Sequence, residues 1–363
     1  MSSTSEREFQ NVTIHDVARL AGVGVGTVSR VLNNHRHVSE ATRERVLAAI
    51  ETLDYRPDLA ARGLRMGRTH TIGVLVPFFT HHFFVEILRG AERAVAQTDY
   101  SLVVFDVERP EERDEYLQEA SLAQRVDGLL VISLVPHPGD LERFKARGFP
   151  VVLVDAHHEE FSSIEVDHRQ AAAEAVQHLL RLGHTKIGFI DRLEDPFTPK
   201  YRPGRQAGYR DALAERGVPV RPEYVFVEAF SREGGYRGAQ RLLALPDPPT
   251  AIFTATDIQA VGAIEAVWES GRQVPEDVAV VGYNNVEMAE YLGLTTMNLP
   301  TEEMGRQGVE ILLATIDGQQ QKPVHIQLAA NLVVRISCGA EPSPPHGWRF
   351  PLQARGYRPA PGG

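Results

Sequence analysis

The sequence predicts two fold classes in one chain: a small all-α N-terminal domain, then an α/β domain with two lobes of parallel sheet covered by helices. Three observations predict this division. Apolar residues recur at helical spacing through residues 13–55, strand-like apolar runs alternate with helical segments from residue 71 onward, and an Arg-rich linker lies between them. Breaks near residues 165 and 290 favour two lobes over a single sheet.

We expect the following domain boundaries. They are a disordered tail at 1–12, the helical domain at 13–56, a linker or hinge helix at 57–69, the α/β domain at 70–340 and a Pro- and Gly-rich disordered tail at 341–363. Within the α/β domain, the N-lobe is expected at about 70–168 and 297–330, and the C-lobe at about 169–296 and 331–340.

Composition excludes several classes of protein. The chain has 363 residues, of which 24% are charged and 43% hydrophobic, as is typical of globular domains. It contains no apolar run long enough to cross a bilayer, and its polar start lacks the pattern of a secretory signal, so we expect a cytoplasmic protein without membrane contact. The single cysteine, Cys338, excludes an internal disulfide, and we expect no cofactor and no metal.

Charge is distributed unevenly along the chain. Residues 1–69 carry 10 Arg, no Lys and 8 acidic residues, a net charge of +2, whereas the remainder carries −12 of the total of −10. A small surplus of this kind does not prove nucleic-acid binding, but it allows the first domain to approach phosphates while the acidic remainder discourages unspecific adsorption.

The first domain reads as a helix-turn-helix with a supporting helix. Its first helix begins at a capping-box pattern, Thr13 to Asp16, in which hydroxyl and carboxylate would accept from free amides, and it ends at Gly22. A second helix is expected from Val25 to Asn33. A third begins at Ser39 and runs through the apolar residues Val46, Leu47, Ile50 and Leu53. The glycines at 22, 24 and 26 do not indicate a dinucleotide loop, because a helix rather than a strand precedes them.

Three segments carry a family resemblance: TIHDVARLAGVGVGTVSRVLN, HVSEATRERVLAAIETLDYRP and AARGLRMGRTHTIGVLVP. They resemble the lactose-repressor (LacI/GalR) family of bacterial transcription regulators, densely over residues 13–77 and more weakly to about residue 337. The resemblance implies a homodimer on a pseudo-palindromic, double-stranded DNA operator, with the second helix in the major groove. It implies contacts to phosphates or base edges from Thr27, Ser29, Arg30 and Asn33.

Elementary chemistry adds to the predicted DNA contacts. Arg30 can present two donors to guanine N7 and O6, which makes it the first candidate for base readout. The hydroxyls of Thr13, Ser39 and Thr42 suit phosphate oxygens, although helix capping alone would also explain them. Val25 can touch a thymine methyl group, whereas Gly26 stands where the family has a larger side chain and offers none. His37 completes the predicted set.

The linker resembles the hinge helix of the same family. The resemblance assigns Ala61, Arg62 and Leu64 to a helix that folds when two copies meet in the minor groove, where Leu64 would wedge between base pairs. A flexible tether is the alternative. Gly63 replaces the family's usual serine and raises the cost of ordering a short helix.

The α/β domain resembles periplasmic sugar-binding proteins, which implies a ligand between the lobes at the carboxyl ends of the strands. After the first strand come Phe78, His81, His82, Phe83 and Phe84. The aromatic rings suit sugar faces, although Phe pairs more often fill cores. Adjacent histidines suggest a metal, but no third ligand at suitable spacing is evident, and ordinary hydrogen bonding is the simpler interpretation.

Four polar residues complete the predicted effector site. Arg205 matches the family arginine that binds effector hydroxyls or carboxylates, and a surface arginine at a helix start is the alternative. Asp155 and Asp257 follow predicted strands, and Asn284 replaces a family aspartate. Because an amide both donates and accepts, Asn284 keeps hydroxyl binding possible but disfavours a cationic effector.

These features predict a transcriptional repressor that a small molecule controls, with a sugar favoured and a nucleobase or other metabolite as corepressor the alternative. A solute-binding transport protein would need an export signal and no helix-turn-helix. An enzyme would need a catalytic constellation, and none is evident in the sequence. Whether the ligand releases or promotes operator binding stays open.

Overall fold

The structure is a computed structural model that describes residues 12–32, 37–55, 68–118, 122–134, 136–192, 197 and 204–341. Four of the predicted DNA contacts lie outside these residues: Asn33, Ala61, Arg62 and Leu64. Most of both predicted tails lies outside them as well. The chain divides into two units, Met1–Thr69 and His70–Gly363, and each is described by itself.

The first unit is a three-helix domain made of α1 (Ile14–Ala21), α2 (Val25–Leu32) and α3 (Glu40–Thr52). Gly22 ends α1 with φ 64°, a left-handed conformation that glycine adopts without a steric penalty, and this turn directs the chain into α2. The three helices bury a small apolar core: Val17, Ala18, Ala21, Val28, Val31, Val46 and Ala49.

One large apolar residue of α3 does not face the core. Leu47 is 51% exposed, and Ala49 takes the inward position instead, next to the fully buried Val46. The physical reason is the helical period: positions 46 and 49 share one face of α3, whereas position 47 is rotated by about 100° from position 46. Ile50 and Leu53 are partly buried against the same core.

The second unit contains two six-stranded sheets. The strands of the first sheet are β1 (Thr71–Pro77), β2 (Ser101–Val107), β3 (Gly128–Ile132), β4 (Val151–Val154), β5 (Ser162–Val166) and β11 (His325–Leu328). Those of the second sheet are β6 (Ile187–Arg192), β7 (Val225–Glu228), β8 (Ala251–Thr254), β9 (Ala279–Asn284), β10 (Thr295–Asn298) and β12 (Asn331–Val333).

Both sheets follow the same plan. Their strand orders are β11-β5-β4-β3-β1-β2 and β12-β10-β9-β8-β6-β7. Every described pairing is parallel except that of β10 with β12. The central strands β1, β3, β4, β8 and β9 are almost continuously buried, because helices cover both faces of the sheets.

Ten α-helices are described around the sheets: α4 (His82–Val95), α5 (Pro110–Gln118), α6 (Leu122–Arg125), α7 (Pro138–Arg147), α8 (His168–Arg181), α9 (Arg205–Glu215), α10 (Arg232–Leu243), α11 (Asp257–Glu269), α12 (Glu287–Tyr291) and α13 (Thr301–Ile316). Helices α4 and α13 pack together in the first lobe, whereas α8 packs on α9 and α10 on α11 in the second. Within the described part of the chain, none of these helices is long and apolar enough to span a membrane.

The chain passes between the lobes after β5, after β10 and after β11. The sequence predicts the second of these crossings at about residue 297, which lies within β10 of the structure. Residues Thr295–Asn298 instead form β10 of the second sheet, where Thr295 pairs with Val281 of β9 and is fully buried. The crossing itself follows at residues 299–300, before α13 packs on the first lobe. Buried threonines are common in strands, and this favours a strand over a connecting loop.

Candidate functional site

The first candidate site is the outer face of α2. Val28 and Val31 fix this helix by packing into the core of the three-helix domain. Arg30 and Gly26 are exposed on the other side, and the predicted contacts Val25, Thr27 and Ser29 are partly exposed. The helix therefore presents one charged fork, Arg30, together with small side chains, and this arrangement suits a helix that enters the major groove.

Thr13 and Asp16 form the capping box that the sequence predicts at the start of α1. The Thr13 hydroxyl donates to the Asp16 carboxylate at 2.7 Å, and the Thr13 amide donates to the same oxygen at 3.0 Å. These two bonds lower the pKa of Asp16. Ser39 Oγ and Thr42 Oγ1 are paired with each other at 2.9 Å. Thr13, Ser39 and His37 are exposed, so DNA phosphates can reach them.

The second candidate site lies where the strands of the α/β unit end. Phe78, Ser133 and Asp155 directly follow the neighbouring strands β1, β3 and β4, and all three have positive φ, at 48°, 49° and 54°. In the second sheet Asn284 ends β9 with φ 107°. Non-glycine residues in this conformation are uncommon and concentrate at functional sites. Their shared position identifies the carboxyl edges of the two sheets as the site.

Asp155 is the centre of a hydrogen-bond network. Its Oδ2 accepts from the Ser133 hydroxyl at 2.7 Å, and its Oδ1 lies 2.8 Å from Nε2 of His168. The other ring nitrogen of His168, Nδ1, lies 2.9 Å from the hydroxyl of Tyr283. The predicted site residue Asp155 is therefore joined to the second lobe through a histidine that the sequence interpretation had not singled out.

Arg205 begins α9 and stacks on Tyr283. Its guanidinium carbon lies 4.2 Å from the centroid of that ring, which is close enough for a cation–π interaction. The side chain keeps partial exposure, but Nε is shielded from solvent, and it has no hydrogen-bond partner among the residues that the structure describes. Burial lowers the pKa of Arg205, and the same burial raises the pKa of the Tyr283 hydroxyl.

Asn284 and Asp257 differ sharply in how their oxygens are used. Asn284 is buried, and its Oδ1 has no hydrogen-bond partner in the described part of the chain. Asp257 accepts from the Thr296 hydroxyl at 2.5 Å and from the Val286 amide at 2.8 Å, so both carboxylate oxygens are bonded inside the second lobe. We therefore correct the expectation for Asp257: these contacts give it a structural role, and burial raises its pKa to about 7.

Aromatic rings from both lobes meet at the mouth of the site. His81 stacks on Phe78 of the first lobe and on Phe230 of the second, with both ring centroids 5.4 Å away, and Phe78 meets Phe197 edge-on at 5.9 Å. Burial is the main reason why the pKa of His81 is lowered, so the neutral ring is favoured there. Phe197 and Phe230 were missed by the sequence interpretation because they lie far from the first strand in the chain.

The remaining predicted residues of this loop divide between core and surface. Phe83 is buried in the hydrophobic core, where it packs edge-on against Phe84. Phe84 is partly exposed and lies 6.4 Å from His81 between ring centroids. His82 is exposed at the start of α4. Within the described residues, no three His, Cys, Asp or Glu side chains are placed to hold a metal ion.

The two units together define a class of protein: a helix-turn-helix domain joined to a two-lobed, binding-protein-like domain. Residues 13–58 match the family model described as bacterial regulatory proteins, lacI family, and residues 176–338 match a periplasmic binding protein-like domain. A curated relative, the ribose operon repressor of Escherichia coli (strain K12), is 36% identical over 332 residues, which are 90% of this chain and 99% of that protein. The chain belongs to the lacI family of bacterial transcriptional regulators, which are not enzymes.

Solved structures agree with this assignment. A Lac repressor dimer bound to operator and the anti-inducer ONPF is 30% identical, with a TM-score of 0.80, and the match covers 91% of this chain and all of that one. A lacI-family regulator from Enterococcus faecium, solved with bound ribose, is 27% identical with a TM-score of 0.64, over 74% of this chain and 98% of that one.

Proposed function

We propose that this chain is a dimeric repressor that recognises a pseudo-palindromic operator through α2. Its affinity for the operator changes when a sugar binds between its lobes, and ribose is the first candidate for that sugar. Arg30 is the residue that we assign to base readout, and Arg205 and Asn284 are those that we assign to the sugar. Such a regulator works in the cytoplasm, where its DNA is.

One observation carries the choice of ligand: a shielded donor, Arg205 Nε, and a buried acceptor, Asn284 Oδ1, both without partners in the described part of the chain. Buried polar atoms of this kind are costly unless they are hydrogen-bonded. A sugar hydroxyl both donates and accepts, so a polyhydroxylated ligand can satisfy the two kinds of group. Phe78 and Phe230, which both stack on His81, are partly exposed and offer apolar surface to a sugar ring.

The relatives support the same class of ligand. One is named for the ribose operon, and one of the matching structures contains ribose. The alternative of a nucleobase corepressor is not favoured. Asn284 supports an uncharged ligand as well, because it carries no negative charge to attract a cation.

Dimer formation has support from an exposed apolar strand. Val103 and Val104 of the edge strand β2 are 37% and 39% exposed, which is unusual for consecutive valines in a sheet. A second copy of the chain would cover them. A two-fold dimer presents two copies of α2, and this matches two half-sites of an inverted repeat.

Isothermal titration calorimetry of the full chain tests the ligand assignment. We expect D-ribose to bind the wild-type protein, and Arg205→Ala to weaken binding by at least about ten-fold, because a charged hydrogen bond is lost. Arg210→Ala is the matched control, since Arg210 lies on the same helix but is exposed. Unchanged affinity of the Arg205→Ala variant would contradict the assignment, as would equal losses in both variants.

A further inference from the structure

His168 stands at the first crossing between the two lobes. The chain leaves the first sheet at the end of β5, at Val166, and His168 is the first residue of α8, which packs in the second lobe. Its ring reaches back to Asp155 of the first lobe through Nε2 and into the second lobe to Tyr283 through Nδ1. The His168 side chain, at the crossing between the lobes, thus contacts both of the lobes that a ligand in the cleft would bring together.

The direction of these bonds follows from the chemistry of the partners. A carboxylate only accepts, so Nε2 of His168 carries the proton and donates to Asp155. In the neutral ring Nδ1 is then the acceptor, and the Tyr283 hydroxyl donates to it. The Ser133 hydroxyl donates to the second oxygen of Asp155. The four groups form one ordered chain from Tyr283 through His168 to Asp155, which the Ser133 hydroxyl fixes from the opposite side.

The same tyrosine forms part of the ligand site. Arg205 lies over the Tyr283 ring, and the next residue in the chain is Asn284, whose Oδ1 is unpaired among the described residues. A ligand that engages Arg205 and Asn284 therefore acts on both neighbours of Tyr283. Because Tyr283 is fully buried on β9, its hydroxyl has little freedom to find another acceptor.

We propose that His168 is a positioning residue that converts ligand binding at Arg205 and Asn284 into a change in the relative position of the lobes, through its hydrogen bonds to Tyr283 and Asp155. This inference rests on the proposed function of the cleft and adds its means of regulation. It separates two properties: affinity for the sugar, which depends on Arg205 and Asn284, and the coupling of sugar binding to operator binding, which depends on His168.

Two substitutions divide the histidine's two bonds. His168→Gln keeps a donor that reaches toward Asp155, and His168→Asn keeps an acceptor near the position of Nδ1, toward Tyr283; neither restores both bonds. His184→Gln is the matched control, because His184 is a partly exposed histidine of the second lobe that contacts Thr250.

Two quantities are measured for each full-length variant: the Kd for D-ribose by calorimetry, and the ratio of operator affinities with and without saturating ribose. We expect both His168 variants to bind ribose within about three-fold of wild type while their coupling ratio falls at least about five-fold, because a coupling between sites can be lost without loss of binding. The control should keep both values.

The hydrogen-bonded series from Tyr283 through His168 to Asp155 is called the relay below. A double-mutant cycle distinguishes coupling through this relay from a general loss of folding stability. If His168 acts through Asp155, then Asp155→Asn and His168→Gln reduce the coupling ratio by about the same factor, and the double variant loses no more than either single one. The relay would be overturned if the loss of coupling in the double variant equalled the product of the losses in the two single variants. An unchanged coupling ratio in both His168 variants would also overturn it. Loss of ribose binding in step with coupling would make His168 a ligand contact instead.

The wild-type arm distinguishes failure of the inference from failure of the proposed function. If wild-type protein binds ribose with coupling but the variants keep that coupling, only the inference fails. If wild-type protein binds no ribose, the proposed ligand is wrong. The direction of the His168 hydrogen bonds is then tested by 15N NMR of the histidine rings. The His168 signal is identified by its absence in His168→Gln. A proton on Nε2 supports the relay, and a ring protonated on Nδ1 alone overturns it.

Discussion

At the scale of single residues, two buried polar side chains of the second lobe differ in whether their oxygens have hydrogen-bond partners. The buried oxygens of Asp257 are both bonded inside the second lobe, whereas the buried Oδ1 of Asn284 has no partner among the described residues. The first arrangement stabilises a fold and the second is suited to a ligand. Sequence alone cannot separate these cases, because both residues lie at the carboxyl ends of strands of the same sheet.

The buried carboxyl group of Asp257 leads to a prediction about pH. Its pKa is about 7 in the folded protein, against 3.8 for an ordinary Asp, because burial disfavours the charged form. Between about pH 4 and 7 the folded protein therefore holds a proton that the unfolded chain has released, so this group's contribution to the free energy of unfolding falls as pH rises.

We expect Asp257→Asn to make the free energy of unfolding less dependent on pH. The slope should change by at most about 1.4 kcal/mol per pH unit relative to wild type. Urea denaturation of the full chain between pH 4.5 and 7.5 measures it. Asp99→Asn, at an exposed position, is the control. The same slope in Asp257→Asn and wild type would show that Asp257 does not titrate in this range.

Two glycines of the first domain give a matched pair of stability predictions. Gly26 lies in α2 with open space around its Cα, so Gly26→Ala should stabilise the helix by about 1 kcal/mol. Gly22 has equal space but φ 64°, so Gly22→Ala should destabilise the domain by about 1–2 kcal/mol. Hydrogen exchange of the α2 amides in the full chain reports both changes, and changes of the same sign would be inconsistent with this account.

At the scale of elements, α2 is held by its buried valines and leaves Arg30 exposed. We predict that Arg30→Ala reduces the free-energy difference between specific and random DNA binding by about 1–3 kcal/mol, since a bidentate base contact discriminates by that amount. Arg45→Ala removes the same charge from an exposed position of α3 and should change both affinities alike. Fluorescence anisotropy at fixed salt measures both ratios, and an unchanged ratio for Arg30→Ala would refute the readout assignment.

Most elements were predictable because their patterns are local. The alternation of strands and helices and the three short helices follow from apolar spacing, and Gly22 marks the turn. Other details depend on tertiary contacts. Leu47 is exposed although it is apolar, and residues 295–298 form a strand because the fold places β9 beside them as a pairing partner.

The polar network of the cleft could likewise be predicted from the sequence only in part. Asp155 was recognisable from its position after a strand, and Arg205 and Asn284 from the resemblance to the family. His168 and Tyr283 were not singled out, because 115 residues separate the two side chains that bond. The available signal was that His168 follows directly on the predicted lobe boundary, where one side chain can serve both lobes.

At the scale of the whole molecule, the α/β unit is two similar sheets joined by three crossings, with a polar network next to the first of them. Parallel strands bring their carboxyl ends to one edge in each sheet, so the groups that we propose for ligand binding come from both lobes. A ligand between them favours one lobe arrangement over others, and in this way binding energy becomes available for control of DNA binding.

A sugar bound in the cleft is expected to change the affinity of the protein for DNA. The most direct measurement is the equilibrium affinity of the full chain for an operator fragment, selected from genomic DNA, with and without the sugar at a concentration that calorimetry shows to be saturating. We predict a change of about 5–150-fold, in one direction or the other. Equal affinities at full occupancy of the cleft would contradict the account.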